Sequence, residues 1–157
     1  MRIHHAEIKV TDWESPKRRF GTASRPHQPP EGSECPFELE HVILRPGKRN
    51  FPFHTHGGQW ELYYVLSGTS TMRTDEETVE LKVGDSYLCR PGLAHQIIND
   101  SREDFVYLVF ADNPSFDACY YPDSGKLAVW ESVGGSLPQN RFWRIQGEET
   151  EYFTGEE

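Results

Sequence analysis

A chain of 157 residues is long enough for one domain with its own core. Its 25 acidic against 16 basic side chains, a formal charge of −9 with the histidines neutral, argue against general nucleic-acid binding, which needs excess Lys and Arg to displace counterions, and against adhesion to anionic membranes. The cysteines, Cys35, Cys89 and Cys119, are odd in number and scattered, so they read as small buried thiols of a reducing cytoplasm and not as a disulfide framework.

Met1-Arg2-Ile3-His4-His5 is followed by no apolar run, so no signal peptide is expected. The longest strongly apolar stretch, around 105–111, is far short of a membrane span, and the expected location is cytoplasmic. Residues 1–36 are rich in proline and charge, as in Ser15-Pro16-Lys17-Arg18-Arg19-Phe20. Proline fixes φ and removes a donor, so this segment is expected to be an irregular arm over the domain or over a neighbouring subunit. Lys17-Arg18-Arg19 reads as a solvated basic turn.

From 37 to 113 the pattern changes. Short runs of β-branched and aromatic residues predict strands at 38–44, 51–55, 61–67, 70–74, 77–82, 86–90, 94–99 and 105–110. Turn signals separate them: Arg45-Pro46-Gly47, Gly57-Gly58, Ser67-Gly68, Asp75-Glu76, Gly84-Asp85, Pro91-Gly92 and Asn99-Asp100. Many short strands at regular spacing predict an all-β sandwich or barrel, and no stretch sustains a helical period. The remaining 114–157 is expected to be an extension packed on the barrel, with edge strands at 127–133 and 140–145 and an acidic tail.

His54 and His56 lie two residues apart, so in a strand both imidazoles face one interior. Gly57-Gly58 permits a sharp turn, and Glu61 opens the next strand with a carboxylate that can return to the same point. Pro91-Gly92-Leu93-Ala94 then brings His95 to the start of a later strand. Three neutral imidazoles and one carboxylate suit one divalent transition metal, Zn, Mn, Fe, Ni or Co.

At these residues the chain resembles the cupin superfamily. Gly47, His54-Thr55-His56, Glu61 and Gly68 are similar to the first cupin motif. The run from Gly84-Asp85 through Pro91-Gly92 and His95 to Asn99 is similar to the second. Gly47 lies one residue further from His54 than is usual, and the proline directly precedes Gly92; neither departure touches a ligand position. The resemblance implies a double-stranded β-helix, a jelly-roll barrel, with irregular N- and C-terminal extensions and a metal held by His54, His56, Glu61 and His95. Ser15-Pro16-Lys17 with Phe20, Tyr121-Pro122-Asp123-Ser124 and 149–152 further resemble a group of stand-alone bacterial cupins often labelled sugar-phosphate isomerases. One fold hosts many chemistries, so that label is weak guidance to the reaction.

Tyr63 shares strand parity with Glu61 and is the candidate catalytic residue. Gln59, beside the metal positions, and Tyr87 are candidates to orient a ligand or touch substrate. Phe51, Phe53, Tyr87, Ile97, Tyr107 and Val109 are candidates to line or fill the barrel, and Asn99 to tie the turn after its strand. Arg73 or Arg90 would neutralise an anionic substrate if either pointed inward, although surface ion pairing is the simpler expectation. No second carboxylate presents itself as a base. The expected function is a metal-dependent enzyme acting on a small polar molecule, a sugar, sugar phosphate or hydroxy or keto acid, by isomerase-like or dioxygenase-like chemistry. The alternative is a non-enzymatic sensor whose metal holds the ligand. Exposed edges and apolar faces of such barrels predict a homodimer.

Overall fold

The central strands are built on alternation. In Glu61–Ser67, Tyr63 and Val65 are buried while Leu62, Tyr64 and Leu66 are exposed, as the two-residue period of a half-buried strand requires. The computed structural model describes residues 1–27, 35–131 and 141–144. In chain order the strands are β1 (Thr11–Glu14), β2 (Gly21–Pro26), β3 (Phe37–Leu44), β4 (Thr55–His56), β5 (Glu61–Ser67), β6 (Ser70–Thr74), β7 (Thr78–Leu81), β8 (Ser86–Cys89), β9 (His95–Ile98), β10 (Phe105–Asp112), β11 (Phe116–Tyr121), β12 (Lys126–Glu131) and β13 (Arg141–Arg144). A single 3-10 turn, His5–Glu7, is the helical content among the described residues, and no helix there is long and apolar enough to cross a membrane.

Among the described residues all strand pairings are antiparallel, and the strands form a jelly-roll. One sheet has six strands in the order β1-β2-β3-β10-β5-β8, a second has four, β13-β12-β11-β4, and a third has three, β7-β6-β9. Val42, Leu44, Tyr63, Val65, Phe105 and Tyr107 from the large sheet meet Met72, Leu81 and Ile97 from the small one in a continuous core, with Tyr87 and Val109 packed at its margin. The outer face of the large sheet keeps an apolar row: Phe110 and Leu88 flank Leu62 in register on neighbouring strands, and all three are exposed.

The N-terminal segment differs from the irregular arm expected of it. It supplies β1 and β2, and β2 lies between β1 and β3. Pro26 closes β2 and Pro16 sits in the turn before it, so neither removes a hydrogen bond from the middle of the ladder. The buried run Gly21-Thr22-Ala23-Ser24 is small, so it lacked the bulky β-branched signature by which strands are recognised. Arg18 turns the chain at φ 57° and pairs with Glu14 at 2.8 Å, in keeping with a solvated turn. The expected strand at 51–55 shrinks to Thr55–His56, because Pro52 interrupts it. Phe51 consequently stays exposed and stacks on Trp13 at 5.4 Å, whereas Phe53, Ile97 and Tyr107 are buried as expected. At the C-terminal side, β12 is an interior strand of its sheet and not an edge; the expected tail, and residues 132–133, 140 and 145 of the expected edge strands, lie outside the described residues.

Glu40 of β3 is half-buried, and its pKa is raised. Burial pushes it up and the hydrogen bond from Ser24 only partly offsets this. An acid raised by folding adds stability below its unfolded pKa and loses it as pH rises through the folded one. Glu40→Gln is therefore expected to raise the melting temperature at neutral pH and leave it unchanged near pH 4, read by thermal denaturation at both. An equal effect at both pH values would refute this assignment.

Candidate metal centre

The backbone ties the two histidine segments together before any side chain is considered. His54 and His95 form an isolated antiparallel bridge, with His95 N–H donating to the His54 carbonyl at 2.8 Å and His54 N–H to that of His95 at 3.2 Å. The Pro91-Gly92 turn, with Gly92 at φ 86°, donates its Gly92 N–H to the His56 carbonyl at 2.8 Å. A left-handed φ at that position favours glycine, so the motif residue sets the approach of His95. Glu61, at the start of β5, lies between Ala111 and Cys89 on the neighbouring strands. The expected metal residues are thus delivered to one end of the barrel by β4, β5, β9 and the segment before β4.

His54, His56 and His95 are buried at 7%, 8% and 1% exposure. Their donor atoms form two groups that share His54: His54, Glu61 and His95 lie within 4.8 Å of one another, and so do His54, His56 and Cys119. His56 reaches the first group through Glu61, its Nε2 standing 3.8 Å from Glu61 Oε2. Each ring is oriented through Nδ1. That atom of His54 donates to the Pro52 carbonyl at 2.8 Å, that of His95 to the Leu93 carbonyl at 3.2 Å, and that of His56 to the Asp117 carboxylate at 2.6 Å. Carbonyl and carboxylate oxygens can only accept, so Nδ1 carries a proton on all three rings, and Nε2 is the atom by which each ring can face a cation.

Glu61 Oε2 completes the set. It is buried and stands 2.7 Å from His95 Nε2. Two atoms that both carry lone pairs do not hold that separation bare; a proton or a cation must lie between them. In the metal-free protein a proton fills this role. Burial would push Glu61 up, but the hydrogen bond and charge of His95 outweigh it and hold the carboxyl down to about 2. Burial would likewise lower His95, but the Cys89 thiol and Glu61 raise it to about 10. His54, without such a partner, is lowered by burial and by His95 to about 3 and stays neutral. A buried carboxylate among three imidazoles, holding a proton that a cation can replace, is a donor set that a divalent transition metal fits.

The other expected residues divide. Tyr63 is buried at 3% exposure, its hydroxyl 3.3 Å from His95 Nε2, and burial with the Glu61 charge keeps the phenol protonated. Gln59 spends its amide on the Asp112 carbonyl at 2.7 Å, pinning the turn to the end of β10. Tyr87 pairs with Tyr63 in register but sends its hydroxyl to Glu77 at 3.0 Å. Arg73 lies over the Phe53 ring at 3.8 Å and grips Asp123 with two bonds of 2.8 Å, while Arg90 pairs with Glu76, so both guanidinium groups are engaged in surface ion pairs.

One wall of the site went unrecognised in the sequence. Strand β11 directs Asp117, Cys119 and Tyr121 inward at alternate positions. Asp117 is 1% exposed and, besides His56, accepts the Gly58 N–H at 2.8 Å; these bonds outweigh burial and keep its carboxyl low. Tyr121 stacks on His54 at 6.0 Å. The period-two row Asp117-Ala118-Cys119-Tyr120-Tyr121 was the available signal, hidden because it lies about sixty residues from the motif it serves. Asp117→Asn is expected to weaken metal binding about 10–100-fold without unfolding the chain, since the carboxylate fixes the tautomer of a ligand. Chelator competition checks this, and unchanged affinity would show that Asp117 serves the turn alone.

Residues 40–111 match the family model described as Cupin domain, and the chain carries a cupin domain. A curated relative described as an oxalate-binding protein of Thermotoga maritima is 32% identical over 65 residues, 41% of this chain. The match spans about half of that relative, 53% of its length. Among solved structures, a sugar phosphate isomerase from a cupin superfamily of Silicibacter pomeroyi superposes with a TM-score of 0.75 at 19% identity, covering 97% of this chain and 98% of the other. A protein described as a predicted oxalate decarboxylase from Thermotoga maritima gives a TM-score of 0.64 at 22% identity, covering 73% of this chain and all, 100%, of the other. At those identities the superpositions establish the cupin barrel fold and extend it through the terminal strands.

Proposed function

We propose that this chain is a metal-dependent enzyme acting on a small, oxygen-rich anion, with one divalent transition metal held by His54, His56, Glu61 and His95. The observation that carries the reading is the tautomer lock: three buried rings are each tied at Nδ1 to an acceptor, and the Glu61 carboxylate stands 2.7 Å from His95 Nε2 and 3.8 Å from His56 Nε2. When bound, the ion supplies a Lewis acid for a hydroxyl, carbonyl or carboxylate oxygen. Three neutral imidazoles and one carboxylate leave a divalent ion one net positive charge, which favours an anionic oxygen ligand in a buried site. A hydroxy or keto acid and a sugar phosphate both meet this description. The names of the relatives, oxalate-binding protein and sugar phosphate isomerase, point to the same chemical class.

The chain's own groups then have distinct tasks. Asp117 holds the His56 ring in orientation. Tyr63, kept as a protonated phenol beside His95, is a proton donor to a substrate oxygen and not a base. Protein stripped by chelator and reloaded with Mn, Fe, Co, Ni or Zn is to be titrated with oxalate, glycolate and a set of sugar phosphates, following both heat of binding and turnover. Metal-dependent binding with turnover is expected, and Tyr63→Phe should lower kcat about 100-fold or more with binding retained. Binding without turnover would favour the sensor; absence of any metal-dependent binding would remove the reading.

We also propose that the exposed row Phe110, Leu62 and Leu88 is covered by a second copy of the chain. Light scattering is expected to report twice the 18.1 kDa chain mass, and Leu62→Glu to return it to the single mass. A monomeric native protein would exclude this.

A further inference from the structure

Cys119 has no task in the reading above, yet its place is specific. It stands opposite His56 across the β4–β11 pairing and is 1% exposed. Its Sγ and a donor atom from each of His54 and His56 lie within 4.8 Å of one another. On the same inward row, Asp117 fixes the His56 ring and Tyr121 stacks on the His54 ring, so the two imidazoles nearest the thiol are held from β11 itself. His54 belongs equally to the carboxylate-bearing group with Glu61 and His95. The thiol and the carboxylate are therefore joined through a shared ring, that of His54.

We propose that Cys119 Sγ is a further ligand of the metal held by His54, His56, Glu61 and His95, and that the centre consequently takes zinc, iron or cobalt in preference to manganese or magnesium. This rests on the metal reading above. The chemistry follows from ligand softness: thiolate favours borderline and soft ions, whereas a purely imidazole and carboxylate set leaves manganese a competitive occupant. Coordination replaces the S–H bond by an S–metal bond and releases one proton to solvent, with no change of oxidation state. The thiolate also cancels the net positive charge left by a single carboxylate, so in this form an anionic oxygen ligand is held by direct coordination to the ion and not by net charge. Cys89, by contrast, contacts the ring of His95 from the core and belongs to neither donor group.

The test is titration of the chelator-stripped full chain with Co(II), followed by absorption. The expected spectrum has visible ligand-field bands together with an intense near-ultraviolet thiolate-to-cobalt charge-transfer band. Cys119→Ser should keep the visible bands and lose the charge-transfer band, while Cys35→Ser retains both. Zn(II) affinity should fall about tenfold or more in Cys119→Ser while Mn(II) affinity changes little. Visible bands without a charge-transfer band in the unaltered chain, or a band that survives Cys119→Ser, would overturn this inference and leave the four-residue site standing. Failure of the unaltered chain to take up Co(II) would overturn both. Because the first readout is made on the unaltered chain, a Cys119→Ser protein that does not fold cannot shield the proposal.

Discussion

His56→Ala is expected to lose most of its bound metal. The ring is held by Asp117 through Nδ1, its Nε2 stands 3.8 Å from Glu61 Oε2, and it shares a donor group with His54 and Cys119. It thus stands next to the carboxylate as well as within the donor group of His54. Removing an outer partner such as Asp117 costs about 10–100-fold in affinity, and removing the ligand itself should exceed that. The loss has a thermal signature as well. Metal at about a hundred times its dissociation constant stabilises a folded chain by about 2.7 kcal/mol. For a domain of this size that raises the melting temperature by roughly 5–10 °C. The native protein should show this rise on metal addition and His56→Ala should not. Metal content after gel filtration, and melting with and without added Zn(II), check both halves. Full retention of metal in the variant would sink the four-residue assignment.

The centre was partly legible in the sequence for a definite physical reason. His54, His56 and Glu61 are local, and strand parity and a Gly-Gly turn bring them together within eight residues; the Pro91-Gly92 turn marks the return of His95. What alternation could not convey was the pairing of β4 with β11, which is non-local and puts Cys119 opposite His56. Asp117 and Cys119 were therefore invisible as site residues, and Cys119 read as an ordinary buried thiol. The same limit acted on the fold. The bulky strands of the core were legible because burial there selects β-branched and aromatic side chains. Strand β2, made of small residues between β1 and β3, was not. Tyr87 shows a further limit: parity places it on the face of Tyr63, but it does not say where a long side chain ends, and its hydroxyl ends on Glu77.

Asn99→Ala is expected to be the most destabilising of the polar substitutions, and its effect should be on the fold alone. Asn99 closes the second motif, is fully buried, and uses its whole amide. Nδ2 donates to the Leu44 carbonyl at 2.7 Å and to the Glu103 carbonyl at 2.8 Å, while Oδ1 accepts from Ser101 N–H at 3.1 Å and Ser101 Oγ at 2.7 Å. One side chain therefore joins the end of β3, the end of β9 and the turn before β10. Alanine strands the Leu44 carbonyl in the core beside Phe105, which pairs with Leu44 in register. Stranding buried acceptors in this way costs about 1–3 kcal/mol each, so a total of about 3 kcal/mol is expected. That corresponds to a fall in melting temperature of roughly 6–12 °C. Asn99→Asp distinguishes loss of a donor from loss of volume. It keeps the shape and the acceptor toward Ser101 but sets a carboxylate oxygen against two carbonyls, so it should be at least as damaging as alanine. Ser101→Ala removes only a half-buried hydroxyl and leaves the Ser101 N–H bond to Asn99, so it should cost about 1 kcal/mol. Chemical denaturation of the three variants gives the order. If Asn99→Asp were as stable as the native chain, the donor role would be wrong and Asn99 would act only by filling space.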